Sequence, residues 1–343
     1  MRPALTSLVG NQSLKAKLLS DISSGTLSHA YIIEGKKGSG KHTIAYLVAA
    51  ALSCENSKDG NSALPCLKCP SCRKILEKKS PDVICITRED KATLSVEKIR
   101  TLRNDVRLLP NELEHKIYIL EDTDTMTDQA QNAFLLTLEE PPSYVKFFLL
   151  CEKSENLLET IKSRSQRLRT EPIAIQAIDE YLQLNNDDAK RLKLSDPDGY
   201  NELLMASEGT IGTALDLLEE KNLKQALEIR VLARDFINII ALPNNSESVM
   251  GILSRFDKKR ENVMLQLLAI ETALRDLIAV QRAESAPLLF FHNRSEAFTL
   301  SDSVSINKLI KIYDSLKKTQ DAIQQNSNVR LSLTSFFVEI NIL

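Results

Sequence analysis

Gly35-Lys-Lys-Gly38-Ser-Gly40-Lys41 sets three glycines ahead of a lysine. With that spacing, backbone amides can converge on phosphate oxygens while an ammonium reaches the outer phosphates. The run follows the apolar stretch Ala30-Tyr-Ile-Ile-Glu34 and precedes an alanine- and leucine-rich segment, so strand, loop and helix N-terminus are expected in that order. The next residue breaks the pattern. Magnesium-dependent phosphoryl transfer needs a hydroxyl there, and this chain has His42, a poor ligand for a hard cation. Thr43 offers a hydroxyl one position late, about 100 degrees further round a helix. Gly35, Gly38, Gly40, Lys41 and Thr43 therefore read as a degenerate nucleotide loop, with ATP and magnesium bound weakly or not at all. A second carboxylate site should lie where Lys116-Ile-Tyr-Ile-Leu120 ends in Glu121-Asp122. The usual order is aspartate, then a water-activating glutamate. Exchanging them displaces both carboxylates.

Four of the six cysteines, Cys54, Cys66, Cys69 and Cys72, fall close together, the last three in the turn-like Pro65-Cys-Leu-Lys-Cys-Pro-Ser-Cys72. Four thiolates at this spacing suit a structural zinc ion that staples a polar loop. With every position filled, no coordination site is left for a catalytic water. Cys85 and Cys151 stand apart in apolar runs.

These groups need a scaffold. The expected strands are Ala30–Glu34, Val83–Thr87, Ile117–Leu120 and Val145–Cys151, nearly continuous apolar runs that suit parallel strands covered on both faces. Helical spacing lies between them: Leu14, Leu18 and Ile22; Lys41–Ser53; a helix capped by Ser95; and one beginning at Asp128 and stopped by Pro141-Pro142. The alternation predicts an α/β domain over residues 1–170, with the zinc insertion around 54–72. Helical patterns at Ile175–Leu184, Tyr200–Glu208 and Ile211–Glu220, the first two separated by polar turns at Asn185–Asp188 and Asp196-Pro197-Asp198-Gly199, predict a small helical domain over 171–220. Longer leucine-rich segments at Ala226–Ile239, Val263–Arg282, Ser305–Gln325 and Leu331–Leu343 predict a helical bundle over 221–343. The chain has 343 residues, 43% of them hydrophobic and 26% charged, with 44 basic and 46 acidic side chains. That balance excludes a strongly basic protein but not a local nucleic-acid contact. No apolar run approaches membrane-spanning length. With no secretory segment apparent, a cytoplasmic location is expected.

The order of the phosphate loop, the four cysteines, the degenerate acidic strand end and Thr137-Leu-Glu-Glu-Pro-Pro142 resembles the bacterial DNA polymerase III clamp-loader subunits, a branch of the AAA+ family. Leu8-Val-Gly-Asn-Gln12, His29-Ala-Tyr31, Gln129-Ala-Gln-Asn-Ala133 and Asn326-Ser-Asn328-Val-Arg330 add to it. The resemblance implies a P-loop NTPase-like parallel-sheet domain, a helical lid and a C-terminal helical collar. It also implies that Arg164, in Ser163-Arg164-Ser165, is offered in trans to a neighbouring subunit's ATP, with Ser165 in the place of a usual cysteine. Against the family's ATP-hydrolysing gamma/tau-type motor pattern, Cys151-Glu152 replaces strand-end threonines and Gly212 replaces a sensing arginine. These departures resemble the delta-prime type, a stator with little or no ATPase of its own inside the polymerase III holoenzyme. Its expected partners are motor subunits and the delta subunit in a heteropentamer, and through that assembly a sliding clamp and primer-template DNA. A motor subunit, or a subunit that binds ATP without hydrolysing it, is the alternative.

Overall fold

The computed structural model describes residues 5, 8–56, 64–88, 93–241, 249–283, 288–291 and 293–342. Cα packing divides the chain into two compact units, Met1–Asn185 with Thr210–Gly212, and Asn186–Gly209 with Thr213–Leu343.

The first unit alternates helix and strand: α1 (Gln12–Ser23), β1 (Ala30–Glu34), α2 (Lys41–Leu52), α3 (Pro70–Leu76), β2 (Val83–Ile86), α4 (Val96–Asp105), β3 (Lys116–Leu120), α5 (Asp128–Glu139), β4 (Val145–Cys151), α6 (Glu159–Ser163), β5 (Gln166–Arg169) and α7 (Ile175–Asn185). The strands form one five-stranded sheet in the order β2-β3-β4-β1-β5. Every pairing is parallel, with Ala30 opposite Phe147 and Lys116 opposite Val145. One face buries Tyr31, Ile33, Ile117, Ile119 and Phe148 against α1, α2 and α3. The other buries Ile32, Tyr118, Leu120, Phe147 and Leu149 against α4, α5 and α6. Helices on both faces explain why the strands read as unbroken apolar runs.

Several local expectations change. β5 was not expected, because Gln166-Arg-Leu-Arg169 buries only Leu168 and lies at the sheet edge, where polar residues are normal. α3 fills what reads as a turn: Cys69 caps it by accepting from Cys72 N–H, and Pro70 occupies its first position. Ser95 makes no side-chain capping bond. α5 begins at Asp128 as expected, and Thr127 caps it by accepting from Ala130 N–H.

The second unit is helical: α8 (Asp187–Ser195), α9 (Pro197–Ala206), most of α10 (Ile211–Asp216), α11 (Glu220–Ala241), α12 (Val249–Leu253), α13 (Arg260–Arg282), α14 (Arg294–Asp302), α15 (Ile306–Gln324) and α16 (Val329–Ile342). Its core joins Leu232, Phe236, Leu267, Ile270, Leu274, Leu316, Phe336 and Phe337. Asp276 is fully buried on α13 and accepts from the amides of Leu289, Phe290 and Phe291 at 2.9, 2.7 and 3.2 Å. Arg230 holds the same turn, donating to the Phe290 carbonyl at 2.6 Å and stacking 4.5 Å from the Phe290 ring centroid. Among the described residues, no helix is long and apolar enough to cross a membrane.

Candidate nucleotide site and metal centre

The phosphate loop leaves the C-terminal end of β1 between β4 and β5, and α2 starts directly behind it. Gly35 N–H donates to the Cys151 carbonyl at 3.0 Å, tying the loop to β4. A Cβ on Gly35 would lie 1.8 Å from Thr170 Oγ1, so a side chain there would separate the loop from β5. Gly38 and Gly40 take φ of 76° and 87°, which only glycine adopts without strain.

The loop is closed on itself. Lys41 Nζ donates to the Gly35 carbonyl at 2.5 Å and the Lys36 carbonyl at 2.9 Å, so it curls back onto the loop. Burial pushes the Lys41 ammonium's pKa down, while Glu152, Cys151, Asp124 and Asp122 pull it back up. Gly212 N–H donates to the Gly38 carbonyl at 2.9 Å. A Cβ at Gly212 would lie 2.5 Å from Gly38 Cα, so no arginine fits at 212 without displacing the loop. The side chain of Thr43 is exposed on α2.

The two departures that sequence reading treats separately are one contact. His42 Nδ1 lies 3.1 Å from Glu121 Oε1. Burial holds the imidazole below its ordinary pKa, Glu121 partly opposing, so at neutral pH a neutral ring donates Nδ1–H to the carboxylate. Glu121 also accepts from the Cys85 thiol at 2.9 Å. Asp122 accepts from Arg88 Nε at 2.8 Å. Both carboxylates that would serve a magnesium ion are thus engaged by neighbouring side chains. Asp124 accepts from the amides of Glu152 and Lys153 at 3.2 and 3.1 Å, which fixes the end of β4 beside the loop.

Arg164 follows α6. It donates through Nη1 to the Thr160 carbonyl and through Nη2 to Glu139 Oε1, both at 3.2 Å. Its side chain is 38% exposed, so the guanidinium remains reachable from outside the chain. The adjoining Ser165 hydroxyl is buried without a hydrogen-bond partner. Sequence reading gave Glu139 no role of its own; the Leu138-Glu-Glu-Pro-Pro142 run was its only signal.

Cys54, Cys66, Cys69 and Cys72 converge, with all four Sγ atoms within 4.8 Å of one another. A tetrahedral zinc ion with Zn–S near 2.3 Å needs sulfurs about 3.8 Å apart, which this cluster accommodates. Cys69 N–H points at Cys66 Sγ and Cys72 N–H at Cys69 Sγ, each at 3.4 Å, as amides do toward thiolates that hold a metal. Burial opposes ionisation of Cys66, yet the Cys69 and Lys68 amides and the Cys54 and Cys69 thiols prevail and bring its pKa down to about 7. The cluster can hold a metal ion through four protein ligands.

A parallel sheet with a glycine-rich loop behind β1, flanking helices and a four-cysteine cluster able to hold a metal defines an AAA+-like core. Residues 10–174 match the family described as DNA polymerase III, delta subunit. The chain is 27% identical over 282 residues to the DNA polymerase III subunit gamma of Buchnera aphidicola, covering 76% of this chain and 74% of that one. It is 32% identical over 215 residues to subunit tau of Escherichia coli, covering 62% and 32%. It is 34% identical over 165 residues to subunit delta' of Bacillus subtilis, covering 48% and 49%. Over residues 10–174, just under half of its length, the chain is of the bacterial DNA polymerase III clamp-loader type, the group of gamma, tau, delta and delta-prime subunits. It matches about three quarters of that gamma subunit but only a third of tau and half of delta'.

Proposed function

We propose that this chain is a delta-prime-like stator of the replicative clamp loader, catalytically silent at its own phosphate loop and serving a neighbour's ATP through Arg164. The observation that carries this reading is the internal satisfaction of the loop. Lys41 is bonded to loop carbonyls, Gly212 is bonded to Gly38, and His42 is bonded to the carboxylate that magnesium chemistry would require. Nucleotide would have to break these contacts before it could bind, and the neutral His42 offers magnesium no hard ligand. Arg164, in contrast, is accessible, permanently charged and planar, suited to the charge that develops on a transferring phosphoryl group.

In this reading motor subunits and a delta subunit complete a heteropentamer within the polymerase III complex. ATP in the motor subunits drives loading of the sliding clamp onto primer-template DNA. Residues 1–170, 171–220 and 221–343 act as nucleotide-type, lid and collar domains, and the four cysteines hold structural zinc. A second reading, an ATP-hydrolysing motor subunit, draws support from the gamma and tau names of the Buchnera and E. coli relatives. A third, ATP binding without hydrolysis, draws support from the three retained glycines. Titration of the isolated chain with a labelled ATP analogue, with and without magnesium, separates them. No binding at saturating nucleotide supports the silent subunit. Magnesium-dependent binding with turnover supports the motor, and binding without turnover, lost in Lys41→Ala, supports the third reading.

A further inference from the structure

We infer that Glu139 is a positioning residue for Arg164, fixing the guanidinium so that its remaining donors face a neighbouring subunit's triphosphate. This rests on the trans role proposed for Arg164. An arginine carries five N–H donors in a rigid plane. The Thr160 carbonyl takes one from Nη1 and Glu139 Oε1 takes one from Nη2, each at 3.2 Å, leaving three for an incoming phosphate. Two acceptors on different elements define the plane of the fork, whereas one would let it swing.

The acceptors are themselves held in register. Gln131 lies on α5, as Glu139 does, and is buried. Its Oε1 accepts from Leu158 N–H at 2.7 Å, and its Nε2 donates to the Asn156 carbonyl at 3.0 Å. One helix therefore anchors the segment that begins α6 and presents the carboxylate that orients Arg164 at the end of α6. Preorganisation of this kind acts on the transition state, where the guanidinium must already point at the transferring group.

The test is steady-state, DNA-stimulated ATP hydrolysis by the reconstituted assembly carrying wild type, Glu139→Ala, Glu139→Gln or Arg164→Ala, with the melting temperature of each chain recorded. Glu139→Ala should lower kcat at the served site about three- to tenfold with its KM for ATP unchanged, because misorientation removes part of an effect that lies in the transition state. Glu139→Gln keeps an acceptor oxygen and should restore kcat to within about twofold of wild type. Arg164→Ala should cost about a hundredfold or more at the served site. If Glu139→Ala matches wild type while Arg164→Ala is impaired, the positioning role is wrong and the trans role stands. A Glu139→Ala defect confined to KM, or one that Glu139→Gln shares, also overturns positioning. An unimpaired Arg164→Ala overturns the underlying reading itself.

Discussion

Replacing Gly212 with alanine inserts a methyl group where the loop leaves no room. The added Cβ would lie 2.5 Å from Gly38 Cα, 2.8 Å from the Gly38 oxygen and 3.1 Å from the Gly38 carbonyl carbon. Ordinary carbon contacts need about 3.5 Å or more, so the two segments must part by about 1 Å. That separation breaks the 2.9 Å hydrogen bond from Gly212 N–H to the Gly38 carbonyl. The lost bond costs about 1 kcal/mol and the overpacking about 1–3 kcal/mol. Alanine's better helix propensity returns up to about 1 kcal/mol. A net loss of about 1–3 kcal/mol from the closed loop corresponds to roughly a five- to hundredfold larger open population. Hydrogen exchange across Gly35 to Thr43 should accelerate by that factor, and affinity for a labelled ATP analogue should rise, without hydrolysis while His42 still occupies Glu121. Unchanged exchange in a Gly212→Ala chain that is otherwise folded would refute the idea that this contact keeps the loop shut.

Asp82 is fully buried and accepts from the amides of Asn111, Glu112 and Leu113 at 2.7, 2.7 and 2.9 Å and from Asn111 Nδ2 at 3.1 Å. Asp82→Ala should therefore cost about 3 kcal/mol in urea unfolding at pH 7, from donors left unpaired. Burial alone would raise the Asp82 pKa, but the amides outweigh it and hold the carboxyl below its ordinary value. Its contribution is complete above about pH 4 and lost as pH falls through the folded value, so the gap between wild type and Asp82→Ala should narrow on acidification below pH 4. Cys72→Ser should weaken metal binding, lower the melting temperature and reduce thiolate-to-metal charge-transfer absorption after cobalt substitution; a cobalt spectrum identical to wild type would exclude Cys72 as a ligand. Ser165→Ala removes a buried hydroxyl without a partner and should raise stability by up to about 1 kcal/mol in the same unfolding assay.

The glycine-rich loop between β1 and α2 and four of the five strands were legible because their signals are local: glycine spacing in one case, unbroken apolar runs in the other. The cysteine cluster was legible for the same reason. What stayed hidden depends on tertiary neighbours. β5 carries a polar edge sequence whose strand conformation comes from pairing with β1. α8 starts directly after Asn186, which the polar stretch Asn185–Asp188 places in a turn. Its side chain instead caps the helix by accepting from Ala189 N–H at 2.9 Å, and asparagine serves turn and cap equally well. Asp196-Pro197-Asp198-Gly199 likewise reads as a turn and instead forms the cap and first turn of α9, because Asp196 accepts from Gly199 N–H and proline suits the first helical position. At the site, His42 and the exchanged Glu121-Asp122 read as two independent defects. Only the order of the sheet, which brings the ends of β1 and β3 to either side of β4, makes them a mutually satisfied pair. Gly212 reads as a missing arginine, and the fold reveals the close backbone approach that glycine permits.

The central claim is that the useful active-site residue of this chain is the one it extends to a neighbour. It is tested most directly by DNA-stimulated ATPase and clamp loading in an assembly reconstituted with motor subunits and either wild type or Arg164→Ala. The account predicts a loss of about a hundredfold or more at the served site, with the variant still assembling. An Arg164→Ala assembly that hydrolyses ATP and loads clamps at the wild-type rate would contradict it.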